Sequence, residues 1–339
     1  MRQSMINCNQ VQTQVITEGR WIEEDSLPQS SKHIVLVIPG NPGVPQFYEE
    51  FIKTLYSRLT LDTPVWIIGH AGHVQPPDNL EIAMPGDEKW AECYSLNAQI
   101  QHKVEFIKKY IPEDAQLYLI GHSIGAWFVL NLLKNNDING RIKKCYMLFP
   151  TVEYMADSPN GILFCNCVGF LHIYLVIIYF SNVQMFANIF SFFTQISRIA
   201  PVLIFLSWIF TAMFPVSLQS LMIRIFGIFW GIPARSVKAV QEMLNPKVLG
   251  RIINLGREEM KYVKEADDKT ISKYNDKLWF YYGANDGWTP RKYYKNMISK
   301  HPNLNVQLCQ RGFQHSFVLK NDVEMGHIVG DLINEELRH

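Results

Sequence analysis

Leu117–Tyr118–Leu119–Ile120–Gly121–His122–Ser123–Ile124–Gly125–Ala126–Trp127 is the stretch that decides the fold. A short apolar run meets Gly-x-Ser-x-Gly and opens into a helical pattern, the strand–elbow–helix context in which a serine is presented as a nucleophile. A side chain at 121 or 125 would collide with the neighbouring strand or helix, and Ser123 is left at the apex of the turn. The motif alone is weak, because roughly one chain in ten of this length holds it by accident at ~7% average glycine usage. Its flanks make it stronger.

Outward from the elbow, strand and helix alternate. Residues 11–22 and 32–38 read as strands, and His33–Ile38 is a continuous apolar run, as expected for a strand buried on both faces of a sheet. It stops at Pro39–Gly40–Asn41–Pro42–Gly43, a dense turn signal. Residues 46–56 are amphipathic at helical spacing, 65–68 form the next strand, and Gly69–His70–Ala71–Gly72–His73 comes directly after it. Leu96 to Ile111 is helical, and Lys144–Phe149 is a strand ended by Pro150. The alternation breaks at 151 and resumes near 277 with strands over 277–282 and 304–308 and helices over 290–300 and 321–337. This is the pattern of an α/β fold, a mostly parallel sheet with crossover helices.

Composition bounds the function. The 339 residues carry a net charge of +1, so no nucleic-acid partner is expected. Only 19% of residues are charged, and the deficit is local: residues 158–197 contain no Asp, Glu, Lys or Arg, and Arg198 and Arg224 are the charges between Asp157 and Arg235. The division expected is a core over 1–157 and 236–339, interrupted by a hydrophobic helical insertion over 158–235. Three forms of the insertion are open: a packed cap over the active site, a hairpin or set of interfacial helices in a membrane or lipid monolayer, or two full spans. Ile162–Phe180 approaches span length, but Asn182, Gln184, Asn188 and Gln195 interrupt the stretch after it, and Pro201 lies in the second apolar run. Tyr174, Tyr179, Trp208 and Trp230 suit an interface. The cysteines Cys8, Cys93, Cys145, Cys165, Cys167 and Cys309 fit neither a zinc set nor a disulfide framework. The N-terminal residues lack the apolar core of a signal peptide, so the cytosolic side is expected.

Acyl transfer by serine needs a base, a group that orients the base, and backbone donors for the oxyanion. Ser123, Asp286 and His315 each come after a strand of the same parallel sheet, in the chain order Ser, Asp, His, so all three can converge at one sheet edge. Asp286 is then the acceptor for His315 Nδ1–H, with Nε2 facing Ser123. Asp286 also suits a loop cap, which is common turn chemistry. For the oxyanion, the N–H of Ile124 is one expected donor. Pro42 has no N–H, which leaves Asn41 or Gly43 for the other, Asn41 being the better placed after Pro39–Gly40. His70 and His73 read as structural or substrate-lining, because no third ligand accompanies them, and His122 reads as structural. No cofactor or metal is called for.

Ile38–Pro39–Gly40–Asn41–Pro42–Gly43, Leu119–Ile120–Gly121–His122–Ser123–Ile124–Gly125 and His70–Ala71–Gly72–His73 together resemble the lipid droplet-associated hydrolases. Leu148–Phe149–Pro150–Thr151, Ser158–Pro159–Asn160–Gly161 and Phe280–Tyr281–Tyr282–Gly283 match as well, so the resemblance runs from about residue 33 to the C-terminus. It implies an α/β-hydrolase with the triad Ser123, Asp286 and His315. It also implies attachment to the endoplasmic reticulum and lipid droplets through about residues 160–232, and a neutral-lipid ester substrate such as a cholesteryl ester. Two alternatives remain open: a droplet-organising scaffold with weak turnover, and a thioesterase or acyltransferase on the same triad.

Overall fold

Among the described residues, eight strands form one sheet in the order β1-β2-β4-β3-β5-β6-β7-β8. The computed structural model describes residues 1–24, 32–60, 62–77, 84–165 and 196–338. The near-span Ile162–Phe180 beyond Cys165, with Tyr174 and Tyr179, and the polar interruptions up to Gln195 lie outside these residues. The antiparallel edge is β1 (Arg2–Cys8), β2 (Val11–Glu18) and β4 (Val65–Ile68). Parallel pairing then runs through β3 (His33–Ile38), β5 (Gln116–His122), β6 (Ile142–Leu148), β7 (Leu278–Tyr282) and β8 (Asn305–Leu308). Strands covered on both faces need apolar side chains in both directions. Ile34 to Ile38 and Leu117 to Ile120 are accordingly buried without a break.

One face carries α1 (Glu49–Arg58) and the C-terminal α12 (Asp322–Leu337), which pack together. Phe51, Leu55, Met325, Val329 and Ile333 share one apolar cluster with Val35, Val37 and Ile120 of the strands. The other face carries α2 (Trp90–Cys93), α3 (Leu96–Tyr110) and α4 (Ile124–Leu133). There Phe106, Ile107, Phe128 and Leu132 cluster with Leu36, Leu119 and Met147. After β7, α11 (Arg291–Lys300) leads to β8.

Between β6 and β7 the described chain is helical: α5 (Pro159–Cys165), α6 (Ile196–Met213), α7 (Val216–Trp230), α8 (Val237–Met243), α9 (Pro246–Tyr262) and α10 (Asp268–Lys273). α6 packs on α9, and α7 on α8. The boundary expected at 235 falls between α7 and α8, whereas the sheet resumes only at Leu278.

The α6–α7 pair is inverted relative to a water-soluble helix. α7 buries only Gln219, Ile223 and Gly227, one residue per turn. Its apolar bulk points outward, with Ile228 79%, Phe229 77% and Trp230 65% exposed. Two polar side chains turn inward: the Gln219 amide donates to the Phe214 carbonyl at 2.7 Å, and the Ser207 hydroxyl donates to the Leu244 carbonyl, while Ser217 and Arg224 are exposed. Among the described residues no helix is long and apolar enough to cross a membrane.

Candidate active site

The elbow is built where β5 meets α4. Ser123 has φ 54° and ψ −122°, a backbone region that costs a non-glycine residue about 1–3 kcal/mol. The surroundings hold it there: Ser123 N–H donates to the Leu148 carbonyl at 2.9 Å, and its own carbonyl accepts from Ala126 and Thr151. Gly125 has no room for a side chain, since a Cβ would run into the Ile38 and Pro39 carbonyls. Gly40 is as tightly placed, because a Cβ there would lie 2.8 Å from the Ser123 Cβ. The loop after β3 is thus seated directly against the serine.

Three strand ends bring the expected triad together. His315 Nε2 lies 2.9 Å from Ser123 Oγ, and His315 Nδ1 lies 2.7 Å from Asp286 Oδ2. Asp286 is also a loop cap. Its Oδ1 accepts from the N–H groups of Trp288 at 2.7 Å and Thr289 at 3.1 Å, and Oδ2 accepts from the Thr289 hydroxyl at 2.8 Å. The two roles are one arrangement, since the cap aims the second oxygen at His315. Burial by itself would raise the Asp286 carboxyl, but the nearby His315 and the bonds from His315, Thr289 and Trp288 outweigh it and hold the group below its usual range. A carboxylate so held stays ionised where it faces the imidazole.

The N–H groups of the 40–43 loop can be accounted for one by one. Gly40 N–H donates to Tyr48 Oη at 2.9 Å, and Gly43 N–H donates to the Gly40 carbonyl at 2.6 Å. Pro42 has none. Of Asn41 and Gly43, Asn41 is therefore the one whose N–H has no acceptor within the loop among the described residues. Ile124 is the first residue of α4, where an N–H has no intrahelical acceptor.

Asn41 is gripped from the far side by α9. Its Nδ2 donates to the Ile252 carbonyl and to Glu259 Oε1, each at 3.0 Å. Glu259 is buried, and burial raises its carboxyl to about 8, with the Asn41 bond opposing. Glu258 accepts from Trp90 Nε1 at 2.5 Å and Leu96 N–H at 2.7 Å. Arg251 lies 3.1 Å from Asp87 Oδ1 and stacks on the Tyr94 ring. Phe164 of α5 lies against Gly256, and Asn160 N–H donates to the Gly287 carbonyl at 2.9 Å, so α5 and α9 flank the site.

His70 and His73 are buried beneath the same loop. His70 N–H donates to the Gly43 carbonyl at 3.0 Å, and His73 Nδ1 lies 2.6 Å from the Pro42 carbonyl. Burial pushes both imidazoles down, His73 to about 3. Among the described residues no three His, Cys, Asp or Glu side chains come together as a metal set. The sequence did not single out Tyr48, Glu259 or Thr289. Only Thr289 left a trace, as the residue three after Asp286 in a capping spacing.

The sheet order and the strand–elbow–helix turn make this an α/β-hydrolase. The fold is matched by a bromoperoxidase from Bacillus anthracis, at a TM-score of 0.54 and 18% identity over 99% of this chain and 98% of that one. A sequence model described as lipid-droplet associated hydrolase matches residues 31–318, and the chain belongs to that family. A relative named lipid droplet-associated hydrolase from Drosophila melanogaster is 38% identical over 338 residues, the whole of both chains. One of the same name from Mus musculus is 34% identical over 98% of this chain and 95% of its own.

Proposed function

We propose that this member of the hydrolase family is a serine esterase that works on neutral-lipid esters, cholesteryl esters among them, at the cytosolic surface of lipid droplets and the endoplasmic reticulum. The observation that carries the reading is the unbroken chain Ser123 Oγ, His315 Nε2, His315 Nδ1, Asp286 Oδ2, with separations of 2.9 Å and 2.7 Å. Ser123 Oγ attacks the ester carbonyl as its proton passes to His315 Nε2. The N–H groups of Ile124 and Asn41 hold the oxyanion that forms. Collapse expels the alcohol with the proton from His315 and leaves an acyl-Ser123. Water then attacks, His315 takes and returns its proton, and the fatty acid departs.

The surface is read from the outward apolar face of α6 and α7. Each large apolar side chain kept in water forgoes about 1.5–3 kcal/mol of transfer free energy, which a lipid phase would recover. The names of the relatives support a droplet as that phase. A fluorophosphonate probe tests the chemistry: the wild type should label and Ser123→Ala should not. Equal labelling, or none of the wild type, removes the reading. The outward face alone also suits a protein that organises a droplet surface. Full rescue of droplet phenotype by Ser123→Ala in null cells would favour that second reading.

A further inference from the structure

His122, inside the elbow, lies beside His315 with ring centroids 5.4 Å apart, yet it takes no part in the triad. Its Nε2 is 2.9 Å from the backbone carbonyl of His315, and its Nδ1 is 2.6 Å from Tyr48 Oη. The protons can be assigned by elimination. A carbonyl only accepts, so Nε2 carries the hydrogen. A neutral ring then has a bare Nδ1, which accepts from the Tyr48 hydroxyl. The Tyr48 oxygen in turn accepts from Gly40 N–H at 2.9 Å. Burial keeps both groups in these states: it drives the His122 imidazole down to about 3, with neighbouring His315 the next cause, and it raises the Tyr48 phenol.

We propose that Tyr48 and His122 are positioning residues, a buried brace that fixes the backbone of His315 and the Gly40 loop relative to each other across Ser123. The proposal rests on the esterase reading for its consequence. At one end the brace engages the Gly40 N–H, so that the Asn41 N–H is the loop donor left for the oxyanion. At the other it anchors the chain that carries the base, independently of the bond between the imidazole and Asp286. The competing account is core filling, since the rings of Phe317 and Phe149 pack around His122 at 4.9 Å and 6.2 Å. Core filling depends on volume; the brace depends on which atom donates where.

The full chain is compared as wild type, His122→Asn, His122→Gln and Tyr48→Phe. Three readouts are taken: the rate of fluorophosphonate labelling, the low-field proton resonance of His315 Nδ1, and the melting temperature. The Asn amide reaches the Nδ1 position only, whereas the Gln amide reaches the Nε2 position and can donate to the His315 carbonyl. His122→Asn is expected to slow labelling on the order of 100-fold, the scale for a misplaced catalytic group, and to shift the Nδ1 resonance. His122→Gln is expected to recover most of both. Tyr48→Phe keeps the ring volume, leaves Gly40 N–H unpaired and should slow labelling, so it reports even where His122→Asn does not fold. Equal behaviour of the Asn and Gln variants, or losses that track melting temperature with an unmoved resonance, overturns the brace. A wild type that does not label, combined with the expected resonance pattern, would remove the Ser123 reading and leave the brace standing.

Discussion

The walls of the active site and the α6–α7 pair belong to the same molecule and obey opposite rules. Around Ser123, the buried groups of the triad and of the Gly40 turn are matched: Asp286 accepts from three residues, and the Gly40 N–H donates to Tyr48 Oη. On α6 and α7 Ser207 and Gln219 also turn inward, but the outer surface is dominated by apolar side chains such as Phe205, Trp208, Phe226, Phe229 and Trp230. The first arrangement excludes water to make hydrogen bonds stronger. The second presents to water what water disfavours. Between them lies α9, whose charged residues Arg251, Glu258 and Glu259 tie the helical region to the core. The contrast shows that apolar sequence is used here in two ways, inside the sheet to build a core and outside it to form an exposed face.

The sharpest way to separate the two regions is to disable each alone. Ser123→Ala should lower ester turnover by several orders of magnitude while leaving binding to phospholipid-coated triolein droplets intact, as measured by flotation. A droplet-binding loss in that variant would mean the regions are not independent. Asp286→Asn comes next, with a loss on the order of 10³–10⁴-fold in turnover, because an amide cannot hold the imidazole tautomer that a carboxylate holds. On the other side, Phe229→Asp with Trp230→Asp should weaken droplet flotation on the order of 100-fold or more, taking about 1.5–3 kcal/mol for each side chain. Labelling by a water-soluble fluorophosphonate is the control. Undiminished flotation would mean that this face does not meet lipid.

How much of the molecule is legible in its sequence depends on the range of the interactions. Parallel strands are buried on both faces, so His33–Ile38 and Leu117–Ile120 announce themselves as apolar runs. Ser123, Asp286 and His315 are legible because strand ends lie on one edge in chain order. β1 carries no such signal, because its outer residues, Arg2, Gln3 and Ser4, are exposed on an edge strand. Tyr48 and His122 meet across 74 residues, and Asn41 and Glu259 across 218. No local period encodes such pairs. Asp286 reads in sequence as either a loop cap or the partner of a histidine because one carboxylate has two oxygens, and here Oδ1 caps the loop while Oδ2 faces His315.

Glu259 gives the smallest effect and the finest test of how the helical region is joined to the core. Its carboxyl is raised by burial from 4.5 to about 8, so between these values the folded chain holds a proton that the unfolded chain has released. Stability attributable to this group is therefore present below pH 4.5 and lost as pH rises through 8. The buried His73 and His122 act in the other direction. Their folded values are depressed from 6.5 to about 3, so their contribution is present above pH 6.5 and lost as pH falls. Glu259→Gln keeps a carbonyl oxygen for the Asn41 amide and removes the titration. Denaturant melts from about pH 4 to 9 should show the decline up to pH 8 flattened by up to about 1.4 kcal/mol per pH unit, and the acid decline steepened between 4.5 and 6.5, where the slope from Glu259 no longer opposes that from the histidines. If the variant and the wild type decline in parallel above neutrality, Glu259 is not the buried proton holder that ties α9 to Asn41. If the acid limb flattens instead of steepening, the histidines and Glu259 titrate as one group rather than as two opposed ones.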